Sequence, residues 1–444
     1  MTKHIIVIGG GPGGIEAACT VAANGGRATI ITDSSLGGRA GWDSLLPSKV
    51  WLTAADRLGE IDAARTLGLS ATANAVDTAD VLARLKAVEE SWNSAQQAAL
   101  EELGVEIITG VASFVGPQTV EVVGGDVHAQ HTADAIIVAT GSVPWLPEGL
   151  KPDGRRVIVP RFISHLEQLP RRLVVIGGGP TGCEFAYLFN RLGVAVTWVV
   201  DYYGVLPNFH PDAGALLAES LRAQGVELLA ERAASHIDRS ESGVVVHLDD
   251  GHTLEADMAF VAIGRRPDWG RLNLSAAGID PTDGRVTVDA FGRCTNPAVY
   301  LVGDADGGLM HANKAMAQGR VAALHALGLP VEPFNPDNVL LATYTDPQAA
   351  QVGQVEGLDV ITRRVSYNAA LKPSLTGETA GFVEISYRQE DGRLSGGLAV
   401  GPHAADVLAP VAVALQLKAT IDQLAGIYVA HPTLSELVFL AARS

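Results

Sequence analysis

The chain has 444 residues, a formal net charge of −17, 47% apolar and 18% charged residues, and 49 glycines, a composition that excludes a disordered chain. At roughly 150 residues per domain it needs about three cores, and its acidic balance repels nucleic acid and anionic membrane surfaces. The longest apolar stretches, such as Leu408 to Leu417, fall short of the ~18 residues of a membrane span, and Lys3 to Ile8 runs into glycines with no small-residue cleavage site, so a cytoplasmic protein without membrane insertion is expected.

The first predicted element is a strand, Ile5 to Ile8, followed by the turn Gly9-Gly10-Gly11-Pro12-Gly13-Gly14 and an alanine-rich helix from Ile15 to Ala23. A second strand, Ala28 to Ile31, ends near Asp33. In a unit of this kind Gly9, Gly11 and Gly14 let the backbone approach a pyrophosphate, whose charge sits on the positive end of the helix. An acid ~20 residues further on is placed to bond a ribose hydroxyl.

Ala135 to Val138 then reads as a buried strand ending in Ala139-Thr140-Gly141. From Leu173 to Asp201 the opening arrangement recurs in register as Gly177-Gly178-Gly179-Pro180-Thr181-Gly182, with Gly182 in the place of Gly14, Glu184 in that of Glu16 and Asp201 in that of Asp33. One GxGxxG is weak evidence, but two with matched strand, helix and acid predict two dinucleotide sites, with Gly177, Gly179 and Gly182 at the second. Phe260 to Gly264 and Tyr300-Leu301-Val302-Gly303-Asp304 are further strands ending in glycine. Together they outline one nucleotide domain interrupted by another. Cys19, Cys183 and Cys294 are odd in number and far apart, so neither a disulfide framework nor a metal-binding CxxC is present and no metal site is expected.

These residues resemble the pyridine nucleotide-disulfide oxidoreductases, most closely their dihydrolipoamide dehydrogenase branch. Both glycine motifs, Ala139-Thr140-Gly141, Gly264-Arg265-Arg266-Pro267, Gly303-Asp304, Thr345-Asp346-Pro347 with Val352-Gly353, and the terminal His431-Pro432-Thr433-Leu434-Ser435-Glu436 carry the resemblance over nearly the whole chain. It implies an α/β protein with two Rossmann-like domains, for FAD and NAD(P)H, and a C-terminal α+β dimerisation domain. The expected parts are 1–145 and 267–333 for FAD, 146–266 for NAD(P)H and 334–444 for the interface. A homodimer is implied, in which the His431–Glu436 pair completes the partner's active site and Asp304 bonds the flavin side of FAD.

The departure from the family is at its redox disulfide. Members carry Gly-Gly-Thr-Cys, four residues, then a second Cys before Ile-Pro-Ser-Lys. Here Leu36-Gly37-Gly38-Arg39-Ala40-Gly41-Trp42-Asp43-Ser44-Leu45-Leu46-Pro47-Ser48-Lys49 aligns without a gap, so the cysteine positions are Ala40 and Leu45. Neither takes part in thiol–disulfide exchange. Trp42 is read as a packing residue before a stacking platform for an acceptor.

The resemblance pairs Lys49 with Glu184 beside the flavin atom that accepts hydride, where a fixed positive charge favours the anionic reduced flavin. It gives His431, held by Glu436, the part of a proton donor or acceptor. The family's acid sits one residue earlier than Asp201, at Val200, and no cation follows Asp201, only Tyr202, Tyr203 and Gly204; NADH is therefore favoured over NADPH. The expected function is an FAD-dependent NAD(P)H oxidoreductase that delivers electrons directly to a small-molecule acceptor such as a quinone. The alternatives are a dihydrolipoamide-type enzyme whose thiol or disulfide substrate reacts at the flavin, a soluble transhydrogenase, and a catalytically silent FAD-binding partner protein.

Overall fold

The computed structural model describes residues 2–70, 72, 76–124 and 127–444. The chain forms two compact units, one of Met1–Pro47, Leu82–Trp145 and Arg265–Asn335, the other of Ser48–Val81, Leu146–Gly264 and Pro336–Ser444.

The first unit is organised by a five-stranded parallel sheet in the order Val299–Leu301, Ala135–Val138, His4–Ile8, Arg27–Thr32, Glu106–Thr109. Its strands are almost wholly apolar because both faces are covered. Ile5 and Val7 point into a core with Ala17, Ala18 and Val21 of helix Pro12–Ala23 and with Ala322 and Ala323 of helix Ala312–Leu327. Ile6 and Ile8 point the other way, into a core with Phe114, Val120 and Val122 from the three-stranded antiparallel sheet Val111–Gly116, Thr119–Gly124, Val127–Thr132. The two helices touch backbone to backbone: a Cβ on Gly319 would run into the Gly13 carbonyl oxygen.

The second unit holds another five-stranded parallel sheet, in the order Glu227–Leu229, Ala195–Val199, Arg172–Ile176, Met258–Val261, Val157–Ile158. One face carries helix Pro180–Arg191, whose Phe185 stacks on Phe260 at 4.0 Å between centroids. The other buries Val174, Ile176 and Val199 against Val244, Val246 and Leu248 of the antiparallel sheet Ala234–Arg239, Val244–Leu248, Thr253–Ala256. Its C-terminal part is a five-stranded antiparallel sheet, Leu341–Thr343, Gln348–Gly353, Leu394–Gly401, Phe382–Arg388, Val360–Ser366 in that order. Helices Ala404–Gln416, Ile421–Ala425 and Glu436–Arg443 close its core. Among the described residues, no helix is long and apolar enough to cross a membrane.

Candidate active site

The two glycine turns solve the same packing problem. A Cβ on Gly9 would enter the Ala139 carbonyl oxygen and one on Gly14 the Gly9 carbonyl oxygen; Gly177 and Gly182 meet Ala262 and Gly177 in the same way. The middle glycines differ, since a Cβ on Gly11 or Gly179 would have nothing within 4 Å. Each middle glycine is the N-cap of its helix, with proline in the first turn and no side chain capping the backbone N–H groups. An open approach to free N–H groups at a positive helix end is a cradle for a pyrophosphate. Both turns therefore fit a dinucleotide.

In the first unit further groups surround this cradle. The Thr140 hydroxyl is buried with no hydrogen-bond partner among the described residues, and Gly141 adopts a φ of +70° beside open space. Ser142 Oγ donates to Asp304 Oδ2 at 2.5 Å and accepts from Arg265 Nε at 2.7 Å, so Asp304 is aimed by a chain that begins at a half-buried guanidinium. Gly303 gives its N–H to Gln318 at 2.8 Å. Arg39 bridges Asp268 (2.7 Å) and the Thr140 carbonyl (2.8 Å). Asp33 is exposed and paired with Arg271 at 2.6 Å, a partner absent from the sequence reading.

The segment that carries the former cysteine positions is a short helical turn, Gly38–Ala40, running into a π-helical turn, Gly41–Leu45. π-Turns concentrate at functional sites. The Trp92 ring covers this segment closely enough that a Cβ on Gly37 or Gly41 would strike it. Trp42 donates its indole N–H to the Leu36 carbonyl at 2.8 Å, which agrees with a packing role.

In the second unit Lys49, on helix Leu46–Ala63, lies 2.7 Å from Glu184 Oε2 on helix Pro180–Arg191. Glu184 is buried and has a second partner, the Tyr344 backbone N–H at 3.1 Å to Oε1. The Tyr344 ring stands against the Lys49 ammonium, 4.6 Å from centroid to Nζ. Tyr344 was missed in the sequence; its only signal was its place beside Thr345-Asp346-Pro347. Burial and the neighbouring Glu184 push the Tyr344 phenol up from its ordinary range.

His431 Nδ1 meets Glu436 Oε1 at 2.8 Å, and the Thr433 N–H donates to Glu436 Oε2 at 2.9 Å. The Thr433 N–H first, and then His431, hold the Glu436 carboxyl below its usual range. Among the described residues no hydrogen bond or ion pair joins this pair to Lys49 or Glu184. Asp201 accepts the Tyr203 N–H at 3.1 Å. Arg232 gives its backbone N–H to the Val200 carbonyl at 3.1 Å, while its guanidinium pairs with Asp250. Gly264 has a φ of +121° with open space where a Cβ would stand.

Comparison with known proteins identifies the family of the chain. Residues 3–319 match the pyridine nucleotide-disulphide oxidoreductase family and residues 339–442 match its dimerisation domain. The chain is 32% identical over 463 residues to an NAD(P)H dehydrogenase (quinone) of Mycobacterium tuberculosis, covering 100% of this chain and 94% of that protein. It is also 32% identical over 449 residues to the dihydrolipoyl dehydrogenase of Geobacillus stearothermophilus, covering 98% and 95%. The crystal structure of LpdA from Mycobacterium tuberculosis superimposes with a TM-score of 0.94 at 32% identity, covering 100% of this chain and 99% of that one.

Proposed function

The chain belongs to the pyridine nucleotide-disulphide oxidoreductases, FAD-dependent enzymes that use NAD(P)H, and we propose that it sends electrons straight to a quinone-like small molecule without a protein disulfide. One observation carries this reading: the two disulfide positions are Ala40 and Leu45. Cys183 offers no substitute, because it is buried with its thiol turned to the Gly178 carbonyl at 3.3 Å. The full-length relationship to a protein named as a quinone-dependent NAD(P)H dehydrogenase supports the choice of acceptor.

FAD, when bound, would supply the redox chemistry between NAD(P)H and the acceptor. The residues do the rest. Gly9, Gly11, Gly14, Thr140, Gly141, Gly303 and Asp304 hold FAD, with Asp33 at its ribose; Gly177, Gly179, Gly182, Asp201 and Gly264 hold the nicotinamide coenzyme. Lys49 presents a positive charge fixed by Glu184. His431, oriented by Glu436, gives a proton to the acceptor. We assign 1–145 and 267–333 to FAD, 146–266 to NAD(P)H and 334–444 to a homodimer interface through which His431 serves the partner's site, in a protein that works in the cytoplasm.

NADH is the preferred coenzyme, because a 2′-phosphate would meet repulsion from the Asp201 carboxylate, which faces the Tyr203 N–H, and the Arg232 charge is already paired with Asp250. The deciding experiment is an anaerobic reduction by NADH followed by mixing with quinones, lipoamide or thio-NAD. Fast reoxidation by quinones alone is expected; turnover confined to lipoamide or to thio-NAD would replace this reading with a dihydrolipoamide or transhydrogenase activity.

A further inference from the structure

Strands Ala234–Arg239 and Val244–Leu248 form an antiparallel pair whose two faces differ. Ile237, Val244, Val246 and Leu248 are buried in the core of the second unit. The opposite face carries His236 directly across from His247, and Asp238 two residues along from His236 on the same side. Neither glycine turn, nor the Lys49–Glu184 pair, nor His431 uses these residues.

We propose that His236, Asp238 and His247 form a binding site for one divalent ion of a late first-row transition metal. One ligand atom of each residue lies within 4.8 Å of those of the other two. The two imidazoles are stacked nearly parallel, 3.9 Å between centroids at 11°, and His247 Nε2 is 2.8 Å from Asp238 Oδ2. Zn–N and Zn–O bonds of roughly 2.0–2.2 Å ask only that donors sit on the order of 3 Å apart, so small side-chain rotations would admit the ion. Two imidazoles and one carboxylate select zinc, copper, nickel or cobalt over magnesium and calcium, which want oxygen ligands. Three protein donors on a solvent-facing surface leave the remaining coordination positions to water.

The surroundings support a built site rather than a chance grouping. The register shifts between Ala234 and His236, a bulge at Ser235, which is exposed like His236. The Ser235 hydroxyl donates to the His247 carbonyl at 3.0 Å and lies 3.3 Å from His236 Nδ1, tying one ring to the other strand. A hydrogen bond to the second ring nitrogen is the usual way a metal-binding histidine is oriented. Behind His236 the turn Glu148–Leu150 packs so closely that a Cβ on Gly149 would lie 2.9 Å from the His236 Cβ. The ligands thus stand on a rigid, core-backed sheet.

The test is titration calorimetry of chelator-treated, tag-free holoenzyme with ZnCl2 near pH 7.5, with the visible spectrum of Co2+ as a second readout. One Zn2+ per chain is expected, with no heat from Mg2+. His236→Ala and His247→Ala should each weaken binding tenfold or more, and Asp238→Asn about tenfold. His252→Ala, which alters a nearby histidine paired with Asp250, should bind like the parent. Flavin absorbance and NADH–ferricyanide activity of the metal-free variants should equal the parent's, which keeps misfolding from imitating lost ligands. Absence of Zn2+ binding below about 1 mM, or full binding by the His236→Ala/His247→Ala double variant, would overturn the proposal.

Discussion

The backbone N–H of Tyr344 donates to Glu184 Oε1 at 3.1 Å, leaving Oε2 to the Lys49 ammonium 2.7 Å away. Glu184 is thereby held at both oxygens, and the Tyr344 ring steadies the ammonium from another side. A cation–π contact contributes about 0.5–2 kcal/mol, so Tyr344→Leu should slow flavin reduction by NADH about 2- to 30-fold. Tyr344→Phe keeps the ring and the backbone donor and should behave like the parent. Stopped-flow reduction measures both; equal losses in the two variants would place the effect in the hydroxyl instead.

The thiols should be silent. Burial pushes Cys183, Cys294 and Cys19 all up from the ordinary thiol range, and the thiolate is the reactive form. A disulfide-exchange reagent at pH 8 should therefore label the folded protein slowly and all three thiols rapidly once it is unfolded. Anaerobic titration should end at two electrons per FAD, without the long-wavelength band of a thiolate beside the flavin. An end point of four electrons would bring a cysteine back into the mechanism.

Asp304 and Asp306 stand two residues apart and have different surroundings. Asp304 meets the Ser142 hydroxyl, whereas Asp306 is buried against Lys314 Nζ at 2.7 Å and Gln318 Nε2 at 2.9 Å. Asp304→Ala should release FAD at dilutions where the parent stays yellow, with a small change in the melting temperature of the apoprotein. Asp306→Ala leaves a buried ammonium unpaired, a loss of roughly 3–5 kcal/mol, and should lower that melting temperature sharply. FAD retention and apoprotein melting, measured together, separate the two roles; matching profiles would remove the assignment of Asp304 to the cofactor.

His431→Ala should leave reduction by NADH nearly unchanged and slow reoxidation by a quinone about 10²-fold, while ferricyanide, which needs no proton, is spared. Equal losses with both acceptors would make His431 structural. Glu436 adds a pH signature. Its folded-state carboxyl is held low, so its contribution to stability is complete above the ordinary carboxylate range and disappears as pH falls through the folded-state value. The melting-temperature gap between the parent and Glu436→Gln should accordingly be constant near neutrality and close in acid. A gap that widened in acid would contradict the Thr433 and His431 contacts.

The local motifs were legible because each has a local cause. An apolar run that ends in glycines before a helix can only be a strand meeting a helix start, and the steric conflicts at Gly9, Gly14, Gly177 and Gly182 show why no other residue fits. Ala40 and Leu45 were equally plain, since chemistry that needs sulfur is absent wherever sulfur is absent. The π-turn at Gly41–Leu45 was not, because it depends on how the segment packs under Trp92 from helix Thr78–Glu102, distant in sequence.

What the sequence determined by itself was the kind of protein: two dinucleotide cradles, no redox disulfide, and a terminal His–Glu pair with a spacing that a single turn can close. Only the tertiary structure decided which further groups meet these residues. Tyr344 reaches Glu184 across 160 positions, Ser142 reaches Asp304 across 162, and His236 faces His247 through strand register. Such partners are set by strand register and by the packing of sheets and helices, neither of which leaves a periodicity in the chain for a reader of the sequence to find.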